Sequence, residues 1–138
     1  MLGEAHKALV VWLCRRMASD GFHLLASDTQ SRPCSSRDLR VSPLIGGIRP
    51  DAIAMKGANA LLAFGEAKTS GDISNQHTLK QLSRMLAFRD AHGRNAHVYL
   101  AFPRSARPLA LRTILKLGLR DAVRVRTIAI PDSLLRAA

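Results

Sequence analysis

With 138 residues, the chain has room for one compact domain with its own core. Apolar residues make up 47% of it, which excludes compositional disorder, and no apolar run approaches the ~20 residues that a membrane span requires. The 21 Lys plus Arg against 10 Asp plus Glu give a formal net charge of +11, which favours a polyanionic partner, nucleic acid foremost.

Residues 2–18 read as a helix, with Leu2, Leu9, Val10, Leu13, Cys14 and Met17 near helical spacing, ended by Asp20-Gly21. Gly21 to Ser27 reads as a first strand. Residues 28–47 are polar and punctuated by Pro33, Pro43 and Gly46-Gly47, the longest irregular stretch of the chain. Loops of that length in compact domains are often functional. Two strands follow, Ile48 to Met55 and Leu61 to Thr69, on either side of the turn-prone Gly57-Ala58-Asn59-Ala60.

A second helix is expected from Ile73 or Ser74 to Ala91, with Leu79, Leu82, Met85 and Leu86 as its apolar stripe. Ala96 to Phe102 is an apolar strand. Ser105 is placed to cap a helix running to about Leu117, with Gly118 as its stop. Val123 to Ile130 alternates apolar and basic residues, the pattern of an edge or half-exposed strand. The expected order is α-β-β-β-α-β-α-β in a single domain, residues 1–138: an α/β protein with a mixed sheet flanked by helices.

The chemistry concentrates at the hairpin. If Lys56 and Leu61 close a four-residue loop, Ile53 faces Phe64, Met55 faces Leu62, and Asp51 lies opposite Glu66. Directly opposed side chains share a face, with Cβ atoms about 4.5–5.5 Å apart, and Lys68 joins them two residues beyond Glu66. Two carboxylates and one ammonium therefore meet at the end of an apolar hairpin. Carboxylates so close repel unless a cation compensates, and hard oxygen donors suit Mg²⁺. The plain alternative for Glu66 and Lys68 is a strand-end ion pair.

The run RPDAIAM, then LLAFGEAKTS, then a helix carrying QLSRMLAF, resembles the PD-(D/E)xK nuclease superfamily with its restriction-endonuclease-like fold. Small size and the QLSRMLAF helix make it most similar to the Holliday-junction-resolvase-type branch. The resemblance implies that Asp51 and Glu66 ligate Mg²⁺, with Mn²⁺ as a substitute, helped by the backbone carbonyl of Ala67. It implies that Lys68 orients or deprotonates the attacking water. Gln81 matches a helix glutamine used near the scissile phosphate, against the competing reading of a solvated helix residue. Glu4 matches a first-helix acid near the metal, although it points away from the Leu9/Leu13/Met17 stripe. A junction resolvase makes two symmetric cuts, which implies a homodimer.

The expected activity is thus Mg²⁺-dependent hydrolysis of DNA phosphodiester bonds. Arg32, Arg37, Arg40 and Arg49 flank the cluster as candidate phosphate contacts. Ser70 is a candidate substrate contact, with capping of the next helix as its alternative. Duplex, flap or restriction-target DNA stand as alternatives to a four-way junction. A non-catalytic nucleic-acid-binding module, or a subunit of a larger assembly, is the rival outside that class. His6, His23, His77, His92 and His97 show no metal-ligand spacing, and Cys14 and Cys34 form neither a disulfide framework nor a zinc site. The N-terminus lacks a secretory signal's order, so a cytoplasmic, intracellular setting with DNA and no membrane partner is expected.

Overall fold

A computed structural model describes residues 3–27, 47 and 49–136. Most of the expected 28–47 loop lies outside the described residues, and with it Cys34, Arg32, Arg37 and Arg40. Helix α1 spans Glu4–Ser19 and buries Leu9, Val10, Leu13, Cys14 and Met17. It ends where Gly21 turns to φ 95°, letting the Gly21 and Phe22 N–H groups donate to Ala18 and Met17 carbonyls at 3.0 Å each. This double closure satisfies the last carbonyls and drops Phe22 into the core.

Five strands follow the sequence across one sheet: β1 (His23–Ser27), β2 (Ala52–Lys56), β3 (Leu61–Ala67), β4 (His97–Pro103) and β5 (Val125–Ile130). The first three are antiparallel neighbours, whereas β3, β4 and β5 are parallel. The sheet is therefore mixed, as expected, and β5 is an edge. Parallel neighbours need crossovers, supplied by α2 (Gln76–Ala87), then by α3 (Arg107–Leu115) and α4 (Leu119–Ala122). Two crossovers of the same hand advancing in the same direction put their helices on the same face. Accordingly α2 and α3 share one apolar cluster with Ile53, Phe64, Val98, Leu100 and Phe102. Helix α1 covers the opposite face.

The hairpin register runs as the turn dictates, with Ala52↔Gly65, Ile53↔Phe64, Ala54↔Ala63, Met55↔Leu62 and Lys56↔Leu61. Gly57 at φ 76° and Ala60 at φ 52° make the turn. The β2 ladder starts at Ala52, however, not at Ile48. Pro50 has no N–H to offer a ladder, and the Asp51 N–H is taken by a side chain described below.

Other expected boundaries also move for local reasons. Helix α2 begins at Gln76 because the Asn75 side chain accepts from the Thr78 N–H at 2.9 Å. It stops at Ala87, not Ala91. Phe88 turns extended and sets its ring edge-on to Phe64 at 5.1 Å, while the Asp90 carboxylate collects the His92 and Arg94 N–H groups. Ser105 does not cap α3. Its N–H and hydroxyl both donate to Asp132, and a short 3₁₀ turn (Arg104–Ala106) precedes the helix. Gly118, at φ 92°, both stops α3 and opens α4, a short helix not expected from the sequence. No described helix is long and apolar enough to cross a membrane.

Helix α1 packs tightly on β3. A Cβ added to Gly65 would stand 2.8 Å from both Leu13 methyl carbons, inside any tolerable contact. Leu13 is itself fully buried and has little room to retreat. Gly65→Ala should therefore destabilise the protein by about 1–3 kcal/mol, the usual cost of overpacking. Chemical denaturation of Gly65→Ala, Leu13→Ala and the double variant measures this. The double variant should be more stable than the sum of the two losses predicts.

Candidate active site

Strand alternation puts Asp51, Glu66 and Lys68 on the face that carries Ile53 and Phe64, the α2 side of the sheet. Asp51 sits one residue before β2, in a bend, and Glu66 is the penultimate residue of β3. They are joined reciprocally. The Asp51 N–H donates to Glu66 Oε1 at 3.1 Å, and Asp51 Oδ2 accepts from the Ala67 N–H at 2.8 Å. The expected Asp51–Glu66 rung is thus realised through side chains, beyond the last ladder pair.

Lys68 Nζ lies 3.6 Å from Glu66 Oε2, and the Lys68 N–H continues the β3–β4 pairing by donating to Ala101 O at 2.9 Å. In an extended strand the N–H and C=O of one residue point to the same edge. Because the Ala67 N–H faces Asp51, its carbonyl faces that edge too. The structure therefore brings Asp51, Glu66, Ala67 and Lys68 together.

Burial gives the cluster its electrostatic character. Glu66 is only 2% exposed and Asp51 7%. Desolvation first, and then the Asp51 carboxylate, push the Glu66 carboxyl well above the ordinary range, while Lys68 pulls it down. An acid raised in this way favours its neutral form in the fold. Its contribution to stability is present below the ordinary carboxylate pKa and is lost as pH rises through the folded value.

The other candidates divide. Gln81 lies on α2, facing the same side of the sheet, and is 9% exposed. Its buried Oε1 has no hydrogen-bond partner, and among the described residues no bond ties it to the acids. It is not the solvated residue of the competing reading. Glu4 is a correction. Its side chain is 77% exposed and pairs with Lys7 at 3.9 Å, one turn along α1, away from the cluster.

The residue of α1 that does reach the site is His6, whose Nε2 stands 3.2 Å from Asp51 Oδ2. It lacks metal-ligand spacing, but it continues the Leu9/Leu13/Met17 stripe by one turn toward the N-terminus, and Glu4 does not. That continuation is the signal in the sequence that singles it out. Arg49 is exposed two residues before Asp51, and Ser70 is exposed in the turn after β3.

The donor set suits a hard divalent cation: two carboxylates and a main-chain carbonyl at one strand end, with an acid held off its preferred charge by burial. Comparison of the chain with protein-family models, with curated proteins and with solved structures gives no match.

Glu66→Gln, a neutral isostere, should be more stable than the parent at alkaline pH, because it keeps the uncharged form that burial favours at this position. The difference should shrink as pH falls and the parent's Glu66 takes up its proton. Thermal melts in chelator across the pH range check both statements; a pH-independent difference would contradict them.

Proposed function

We propose that this protein is a metal-dependent endodeoxyribonuclease of the PD-(D/E)xK type, with a restriction-endonuclease-like arrangement of its mixed sheet. The observation that carries the reading is the reciprocal Asp51–Glu66 contact, with Lys68 3.6 Å from Glu66 on the same face. An ordinary strand-end ion pair would not need the second buried carboxylate. That acid raises the cost of the cluster and adds nothing to an ion pair. A divalent cation, commonly held by one or two carboxylates, gives that second acid a role.

In this reading Asp51, Glu66 and the Ala67 carbonyl hold Mg²⁺, or Mn²⁺ in its place. The ion supplies Lewis acidity at the phosphate and lowers the pKa of a water. Glu66 would hold the ion only as a carboxylate, so ion binding would strengthen with pH. Lys68 places a positive charge beside the phosphorus as water attacks in line and the leaving oxygen departs, opposing the negative charge that develops. His6 fixes the Asp51 carboxylate from the α1 side. Gln81 can present either its oxygen to the attacking water or its NH₂ to a phosphate oxygen, by a half-turn of its amide.

The net charge of +11 supports DNA as the partner through its backbone. A four-way junction would require a homodimer, and duplex or flap DNA would not.

Cleavage of junction, duplex, flap and single-stranded DNA with Mg²⁺ tests the assignment. Asp51→Ala and Glu66→Ala should each abolish cleavage while circular dichroism shows a folded protein. Lys68→Ala should slow it by about 10²–10³-fold, the usual loss for a group that meets developing charge. Cleavage retained in both acid variants would refute the proposal.

A further inference from the structure

Helix α2 carries a second arrangement beside the acids. His77, Lys80 and Arg84 recur at three- and four-residue spacing and so share one side of the helix, with Gln81 next to them. They line a cleft of about 330 Å³ whose far wall is Gly47 and Arg49. Among the described residues, its lining contains no carboxylate. Arg84 Nη1 donates to the Gly47 carbonyl at 3.2 Å, which ties α2 to the segment that leads into Asp51. Gly47 has φ 86°, and a Cβ there would stand 3.2 Å from the same guanidinium. The cleft is therefore built around Arg84.

At the border between this cleft and the sheet sits the Gln81 amide, nine-tenths buried with no partner for its oxygen. That oxygen can only accept, so an anion in the cleft would be met by the amide's NH₂ after a half-turn of the side-chain amide. A second basic cleft differs. It is lined by Arg89, Arg120 and Arg124, but it includes Asp121, and Arg124 is already engaged by Asp121 and by the Leu86 carbonyl.

We infer that the α2 cleft seats a backbone phosphate of the polynucleotide one or two nucleotides from the bond being cut, on Lys80, Arg84 and the Gln81 amide. The inference rests on the nuclease reading for which phosphate is cut. Two residues of chain separate Arg49 from Asp51, a span of at most about 7 Å. Successive phosphates along one strand stand about 7 Å apart, twice the axial rise of about 3.4 Å because the backbone winds round the axis, so one nucleotide covers that span. Lysine supplies a point charge, arginine a planar fork and glutamine a neutral donor, a set that matches a tetrahedral anion with several free oxygens.

The test is binding of short duplex DNA in chelator, over a series of salt concentrations, by three forms of the full chain. These are wild type, Lys80→Gln/Arg84→Gln, and the charge-matched control Arg112→Gln/Arg136→Gln, whose exposed residues lie outside the cleft. Loss of one phosphate contact should weaken the cleft variant about tenfold and flatten its log–log salt slope by about one. The control should keep its slope. In parallel, titration of wild type with inorganic phosphate should move the Gln81 side-chain amide signals in an NMR spectrum.

Equal effects of the two double variants would reduce the cleft to bulk charge and overturn the inference. A Gln81 response to inorganic phosphate with unchanged duplex affinity in the cleft variant would assign the cleft to a free anion, and would also overturn it. Wild type that binds duplex through the cleft but cuts no DNA with Mg²⁺ or Mn²⁺ would overturn the nuclease reading and leave the phosphate seat standing. Cutting with the same KM and salt dependence in wild type and the cleft variant would overturn the seat alone.

Discussion

The reciprocal contact between Asp51 and Glu66 removes two acids from water at the end of a hydrophobic sheet. Each holds a stretch of main chain in place: Asp51 gives its N–H to the Glu66 carboxylate, and its own carboxylate takes the N–H of Ala67, the residue after Glu66. This fixes the geometry without neutralising the charge. Lys68 offsets part of it at 3.6 Å, and burial makes the remainder costly, which is why the Glu66 carboxyl titrates so high. A fold that carries such a cluster must gain its stability elsewhere. The strain is accommodated at one end of the sheet while both faces remain packed.

How the two faces pack follows from residue size. On the α1 side β2 and β3 present Ala52, Ala54, Ala63, Gly65 and Ala67, while β4 and β5 add the larger Tyr99, Ile128 and Ile130. On the other side the strands present Ile53, Phe64, Val98, Leu100 and Phe102. Small residues let a helix approach closely, and α1 does so to the point that Gly65 admits no Cβ. Large residues fill the space between the sheet and α2 and α3 on the other face. The same closeness brings the first turn of α1 near enough for His6 to touch Asp51 from the opposite face.

Much of this arrangement is legible in the amino-acid order alone. The hairpin register follows from the turn at Gly57–Ala60 and from the parity of the apolar residues, and it alone puts Asp51, Glu66 and Lys68 on one face. Less legible is whatever depends on a side chain competing with the main chain. Glu66 takes the N–H that would have extended β2 to Asp51, Asp90 and Phe88 end α2 early, and Asp132 draws Ser105 away from its cap. These partners are distant in sequence or out of phase with any periodic pattern. The choice between Glu4 and His6 turns on two residues of helical phase, about 200° of rotation. A family pattern favours the acid, and the apolar stripe favours the histidine.

The charge distribution follows from the same constraint. A phosphate approaching Asp51 and Glu66 alone meets like charge, and the attraction of Lys68 is already shared with Glu66. In the proposed nuclease two separate sources of positive charge would resolve the conflict. A divalent cation would neutralise the acids locally, within a coordination shell. The cations on α2 and Arg49, which line a cleft of their own, would attract a polyanion without collapsing onto the carboxylates. Among the described residues, the acids themselves keep His6 and Lys68 as partners, at 3.2 Å and 3.6 Å. Between cleft and cluster stands Gln81, neutral, buried and able to turn either end of its amide to either side.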